Sequence, residues 1–368
     1  MNAFKAMNTT TKNTRLTSQQ LVNPVFDSPK ELVSWMGAMQ AQDFNMAKWA
    51  IAIRQNSCTE QEVEDAFNRG DFLRTHIMRP TWHFVSAEDL HWLVKLTGSR
   101  VKAASRSLAK YLNLEEKEYP KAYKLLEKIL RDNNHLTKDE IAEILAKSGL
   151  GTTTSRHINY YLMSAEADGI VCSGALKGNK QTYALLDERV VNKKEIHKDE
   201  ALAKLAQRYM QSHSPATLQD FVWWSGLTIK DCRQAFGLIE NKLIKDRFDS
   251  MELYIHETYK EPTLTGNGIF HFLPAYDEYI ISYKNRTHVL NLEHHPKAFN
   301  NYGIFQPIIL YNGHAVGNWK KIKKAKGIEF DITFWDKKFK VDKKQLALAE
   351  EKMRYYIGCD KDKKQESI

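Results

Sequence analysis

The chain has 368 residues, more than one ordinary domain needs, and 42% of them are apolar, enough for a real core. Lys and Arg outnumber Asp and Glu by 54 to 45, a net charge of +9 that suits a polyanionic partner without proving one. Cys58, Cys172, Cys232 and Cys359 lie far apart with no CxxC, which excludes a sequence-readable disulfide framework or zinc site and fits a reducing cytoplasm. There is no apolar run of about 18 residues, so no membrane span is expected. The stretch "MNAFKAMNTTTKNTR" lacks the apolar centre of a signal peptide, and residues 1–15 read as a disordered leader.

"DSPKELVSWMGAMQAQ" opens with a helix start, Ser28 as cap and Pro29 in the first helical position. Leu32, Val33, Met36 and Met39 then recur at helical spacing, which predicts a helix running to the glutamines Gln40 and Gln42. "NMAKWAIAIR" and "TEQEVEDAFNRG" read as further helices, and "DFLRTHIMRPTWHFVS" as two short strands broken at Pro80. Ser86 starts a long helical stretch. Residues 16–115 are thus expected to form a first winged-helix-like unit.

Residues 116–195 repeat the grammar more clearly. "PKAYKLLEKILRDN" is a helix, and "LTKDEIAEILAKSG" is a second with a Thr137/Glu140 capping box. "TTTSRHINYYLMSAEADG" is a third, and "IVCSGALKGNKQTYALL" is a strand pair. Three helices with a hairpin make a winged helix-turn-helix. Residues 196–260 give a third such unit, with Thr217 as a cap, Gly226 as a turn and "LIKDRFDSMELYIH" as the hairpin. Residues 261–368 read as β-rich and barrel-like, with "GIFHFLPAYDEYIISYKNR" strand-like, an Asn312-Gly313 turn and a closing helix. The expected fold class is α+β, mostly α: about three tandem winged helices followed by a β-rich, barrel-like unit.

Two uncharged amides in a small, apolar stretch raise a question. On residues alone, Gln40 and Gln42 read best as backbone caps at a helix C-terminus. In the middle unit, Thr152, Thr153, Thr154, Ser155, Arg156 and His157 fall on the third helix, and Lys177, Asn179 and Lys180 on the wing. Hydroxyls at a helix start with basic wing residues fit phosphate contact, but also a solvated face or a protein-interaction module. From Lys320 to Lys344 there are ten lysines against four acids, with Phe330, Phe334, Trp335 and Phe339 interleaved. Lys320 and Lys321 are therefore candidates for DNA backbone contact, though strand lysines also guard against aggregation. Adjacent His294 and His295 point apart on regular structure, so no metal site is expected.

"MQAQDFNMAKWAIAIR", "RTHIMRPTWHFVSAEDLHWL", "PATLQDFVWWSGL", "FLPAYDEYIISYKNR" and "ILYNGHAVGNWK" in this order resemble the bacterial winged-helix DNA glycosylases of the AlkZ and YcaQ family. The resemblance covers roughly residues 16 to 345. It implies tandem winged helices and a barrel-like unit around a cleft for alkylated DNA, excision of bulky alkylated purines, and unhooking of interstrand crosslinks. It places the catalytic signature on Gln40-Ala41-Gln42, in the glutamine form of the AlkZ branch. It also puts the hairpin bearing Arg79 and His83 near DNA. On residues alone, Asp277 reads as an auxiliary acid or a structural acceptor for loop amides, Arg286 as its partner or a phosphate contact, and Asp43 as a candidate stronger base or a solvent-facing carboxylate.

The chemistry of the pair is restrictive. A carboxamide is no general base at neutral pH, so Gln42 can only orient water or turn its carbonyl dipole toward positive charge on the sugar. That suffices when the leaving purine is already cationic from N7 alkylation and the transition state is oxocarbenium-like. The expectation is a monofunctional DNA glycosylase needing no cofactor, a monomer acting on double-stranded DNA. No membrane or protein partner is implied, and the location is the bacterial cytoplasm, nucleoid-associated. The alternative is a non-catalytic winged-helix DNA-binding protein, regulatory or architectural.

Overall fold

The computed structural model describes residues 11–114, 116–150, 154–248, 251–259, 268–324 and 327–358. The chain divides into two compact units, neither continuous in sequence. The first comprises Met1–Glu64, Ala206–Trp224 and Ile239–Ile368, and the second Asp65–Leu205 and Ser225–Leu238.

The first unit opens with a helix over residues 11–18 (α1), which begins inside the stretch read as a leader. Arg15 on it is 1% exposed and donates Nε to the Pro215 carbonyl at 3.0 Å. Helix α2 (Pro29–Met36) starts as its sequence predicts: the Ser28 hydroxyl accepts from the Glu31 amide, and Pro29 costs no hydrogen bond. The helix stops at Met36, short of the glutamines, because Gly37 turns left-handed at φ 75°. A Cβ there would also stand 3.0 Å from the Arg208 Cβ. Strand β1 (Met39–Gln40), helix α3 (Phe44–Ala52) and helix α4 (Glu60–Arg69) follow.

In the second unit, β2 (Phe72–Ile77) and β3 (Thr81–Ser86) pair antiparallel from Phe72↔Ser86 to Ile77↔Thr81, as the break at Pro80 predicts. Helix α5 (Ala87–Tyr111) crosses α8 (Ser155–Ala167) closely at Gly98, where any Cβ would lie 2.0 Å from the Ala167 carbonyl oxygen. Between them come α6 (Tyr119–Leu130), β4 (Leu136–Thr137) and α7 (Lys138–Lys147), the last opened by the Thr137/Glu140 capping box. Strands β5 (Val171–Ser173) and β6 (Thr182–Leu185) complete a three-stranded sheet of order β4-β6-β5. Leu126, Leu130, Ile141, Leu145, Ile158, Tyr161 and Leu162 form its apolar core. Short α9 (Leu186–Arg189), α10 (Lys198–His213), α11 (Leu218–Ser225) and α12 (Ile229–Leu238) follow, α10 and α11 each running across a unit boundary.

The chain then returns to the first unit as the hairpin β7 (Leu243–Phe248) and β8 (Met251–His256). Strand β9 (Phe270–Leu273) comes next, but the segment read as one long strand breaks after Leu273. Tyr276 adopts φ 60°, and α13 (Glu278–Ile281) is a helical turn capped by Asp277. After α14 (His295–Ala298), strands β10 (Ile308–Tyr311), β11 (His314–Lys324) and β12 (Gly327–Phe334) join β9 in an antiparallel sheet of order β12-β11-β10-β9. Asn312 and Gly313, both left-handed, form the predicted β10–β11 turn. This sheet is open, so the β-rich part is not a closed barrel among the described residues. Helix α15 (Lys343–Tyr356) ends the fold, which is α+β.

Candidate active site

The two glutamines sit in the link between α2 and α3, not on a helix end. Gln40 lies on β1 at 6% exposure, Ala41 is fully buried, and Gln42 is exposed. The burial follows from Gly37, which ends α2 abruptly and sends Ala38, Met39 and Ala41 into the core. Asp43 is the N-cap of α3 and accepts from the Met46 amide at 3.1 Å. Its carboxylate thus serves the helix start, the role that its place next to Phe44 favours.

Gln40 and the far end of α3 are each held by one of two neighbouring acids from far along the chain. At one end, Oε1 of Glu278 accepts the Gln40 backbone N–H at 2.6 Å. At the other, Asp277 takes the Arg54 guanidinium in two parallel bonds of 2.8 Å, and Arg54 also donates to the Ala50 carbonyl at 2.9 Å. All three side chains are buried: Arg54 0%, Asp277 2%, Glu278 2% exposed. Asp277 also accepts the Tyr279 amide at 2.9 Å. The sequence offered Arg286 as its partner. The actual partner is Arg54, because α13 turns Asp277 toward the end of α3. Just before the acids, the burial of Tyr276, with Asp43 adding to it, pushes the phenol pKa up. The motif and the acid-bearing loop therefore feel one another's charge.

Glu278 has no guanidinium. Its Oε2 accepts Trp224 Nε1–H at 3.1 Å and the Ser282 hydroxyl, while His213 Nε2 stands 3.6 Å away. Burial works against the charge, yet the donors around the carboxylate outweigh it and hold its pKa at about 2. Burial lowers the His213 pKa as well, with Glu278 opposing it. The charge on Glu278 is favoured by His213 Nε2 at 3.6 Å and by the three close donors, the Gln40 amide, Trp224 and Ser282.

The remaining sequence candidates are placed as follows. Arg286 is 8% exposed, donates Nε to the Ile280 carbonyl at 2.8 Å, and lies over the Trp223, Phe299 and Phe305 rings at 5.0–5.3 Å. Its head is largely engaged inside the unit. Lys320 and Lys321 are on β11, whose alternating burial ends at Trp319 and gives way to five exposed residues. That half of β11 carries Lys320, Lys321, Lys323 and Lys324 exposed, with Lys320 opposite Asp331 and Lys321 opposite Phe330.

In the second unit, Arg79 occupies the β2–β3 turn, half-buried, after Met78 at φ 58°. His83 has no exposed surface, and its Nδ1 lies 3.0 Å from the Thr81 carbonyl oxygen. A fully enclosed ring has nothing to present to a phosphate, so His83 is a hairpin residue. Arg156 is exposed on the first turn of α8. Lys177 and Lys180 are exposed and form a β-bridge in the β5–β6 connection, Lys177 also pairing with Glu140. Thr152 and Thr153 lie outside the described residues.

Sequence reading missed Glu278, Arg54, Trp224, Ser282 and His213. The one available signal was "AYDEYII", two consecutive acids in an otherwise apolar run. Among the described residues, no group of three His, Cys, Asp or Glu side chains is placed to hold a metal ion, and no helix is long and apolar enough to cross a membrane.

A family model described as DNA glycosylase AlkZ-like matches residues 33–356. The chain therefore belongs to the AlkZ-like DNA glycosylase family, and its class is that of a DNA glycosylase. Among its relatives is an interstrand DNA cross-link repair glycosylase of Streptomyces sahachiroi, 21% identical over 306 residues, which span 80% of this chain and 82% of that one. The solved structure of Streptomyces sahachiroi DNA glycosylase AlkZ shares the fold, with a TM-score of 0.80 at 19% identity over 95% of this chain and 96% of that one.

Proposed function

We propose that the protein hydrolyses the N-glycosidic bond of N7-alkylated purines in duplex DNA, with Gln42 orienting the attacking water and Gln40 beside it. The observation that carries this reading is the exposed Gln42 between a Gln40 amide held by buried Glu278 and the Asp43 cap of α3. A cationic purine leaves without protonation, so the protein has only to aim water and oppose the positive charge of an oxocarbenium-like sugar. A neutral amide on a fixed backbone does this and leaves undamaged bases alone.

The S. sahachiroi relative supports interstrand crosslinks as substrates here too. The helix–strand–helix–helix–hairpin order of α6 to β6 supports reading residues 116–195 as a winged helix, with 16–115 and 196–260 as degenerate versions of the same unit. Exposed Arg156, Lys177, Lys180, Lys320 and Lys321 are suited to phosphate contact.

The test is a duplex carrying one N7-methylguanine, incubated with the protein and then treated with hot alkali. Release of the base and scission at the adduct are expected. Gln42→Ala should slow release about 10²- to 10³-fold while DNA binding is kept. Binding without release by the wild-type protein leaves a non-catalytic DNA-binding protein.

A further inference from the structure

We propose that Glu278 is the positioning residue of the Gln40-Ala41-Gln42 segment: its carboxylate fixes the Gln40 backbone amide and thereby the place from which Gln42 acts. The inference rests on the reading of Gln42 as the water-orienting group.

Energetics single this residue out. A buried carboxylate with no guanidinium or ammonium bonded to it is a costly thing to keep, and an apolar side chain of similar volume would pack more stably. Asp277 next to it has its buried charge matched by Arg54. Glu278 is hydrogen-bonded by the Gln40 amide, Trp224 and Ser282, with His213 Nε2 3.6 Å from the carboxylate on the Oε2 side. Trp224 and Ser282 converge on Oε2 and hold the carboxyl group in one orientation, leaving Oε1 aimed at Gln40 alone.

Two properties then pass to the glutamine segment. A bond of 2.6 Å to a full negative charge fixes the Met39–Gln40 peptide plane more firmly than a neutral acceptor would. Gln42 lies two residues further on, immediately before the Asp43 cap of α3. Its backbone is thus trapped between an anchored amide and an anchored helix start. A glutamine that works only by aim loses most of its effect if its backbone shifts by an ångström.

The experiment is single-turnover release of N7-methylguanine from duplex DNA at saturating protein, with the Kd of the same duplex measured alongside. It uses wild type, Glu278→Gln, Gln42→Ala and the double variant. A glutamine at 278 must turn an NH₂ toward either Gln40 or the Trp224–Ser282 pair, so one set of donors is lost. The expected result is a rate about ten- to a hundredfold lower for E278Q with Kd unchanged within about twofold, and a double variant no slower than Q42A alone. A wild-type rate for E278Q, a loss that appears in Kd alone, or a loss that multiplies with that of Q42A overturns the assignment. A wild type that releases no base, or a Q42A variant as fast as wild type, instead sinks the reading on which the assignment rests. Should E278Q not accumulate as folded protein, Glu278→Asp decides. It keeps the charge but falls one carbon short of the Gln40 amide, and a wild-type rate in that variant overturns the proposal.

Discussion

Between Tyr119 and Leu185 the chain buries a cluster that is apolar throughout, from Ala122 and Leu126 to Ile158 and Val171. Around Gln40 it buries Arg54, Asp277, Glu278 and His213. The first region draws its partners from within a few dozen residues. The second joins groups 223 and 238 residues apart. One is held by area removed from water, non-directional and tolerant. The other is held by a few directional, charged contacts that fail sharply when a partner is removed. A region that merely has to stand up is built the first way. The second way is worth its cost where an atom has to be aimed.

The largest effect that sharpens this contrast is at Arg54. Arg54→Met leaves Asp277 buried without its cation, and unfolding free energy should drop by roughly 3–5 kcal/mol. Base release should fall as well, because one end of the α3 clamp is gone. Chemical denaturation with the release assay reads both, and a variant as stable as wild type would erase the distinction.

Leu126→Ala in the apolar cluster should cost roughly 2–5 kcal/mol through the cavity it opens. Base release per folded molecule, at saturating protein, should stay at the wild-type rate. A release defect matching the stability loss would show that this region, too, governs aim.

Acid separates the units next. His213 and His271 of the first unit are fully buried and pushed below the usual imidazole range by that burial, His271 to about 4. The denatured chain takes up protons near pH 6.5 that the folded chain refuses, so stability falls as pH drops from about 6.5 toward 4. Each such histidine contributes up to about 1.4 kcal/mol per pH unit. Glu278 acts lower: its folded value of about 2 lies beneath the denatured one, so its contribution persists above about pH 4.3 and is lost only toward pH 2. In the second unit, His135 is only partly buried and is lowered in the same direction. Hydrogen exchange at pH 5 should therefore show the first unit losing protection before the second.

The smallest effect is Thr137→Ala, which removes the α7 capping box and should cost about 1 kcal/mol, read as a small shift in the denaturation midpoint. A loss of several kcal/mol would mean the apolar region depends on directional contacts after all.

The same contrast explains what could be read from sequence. The capping boxes, the Pro80 break, the Asn312-Gly313 turn and the apolar periodicity of α6 to α8 are local, and all appear where the residues put them. Gln40 and Gln42 were legible as an oddity, but their setting was not. The helical periodicity of Leu32 to Met39 hid the stop at Gly37, which depends on backbone conformation and on Arg208 packing close by. Trp82 and Phe84 on either side of His83 suggested a half-buried ring, but not how completely the hairpin encloses it. Glu278 was passed over beside Asp277, since only the folded chain separates an acid matched to a guanidinium from one that holds the Gln40 amide.

The distance along the chain between Gln40 and Glu278 has a bearing on biosynthesis. A ribosome has released the glutamines long before it has made the loop that anchors them. Until about three quarters of the chain has been made, the Gln40 amide lacks the carboxylate that holds it.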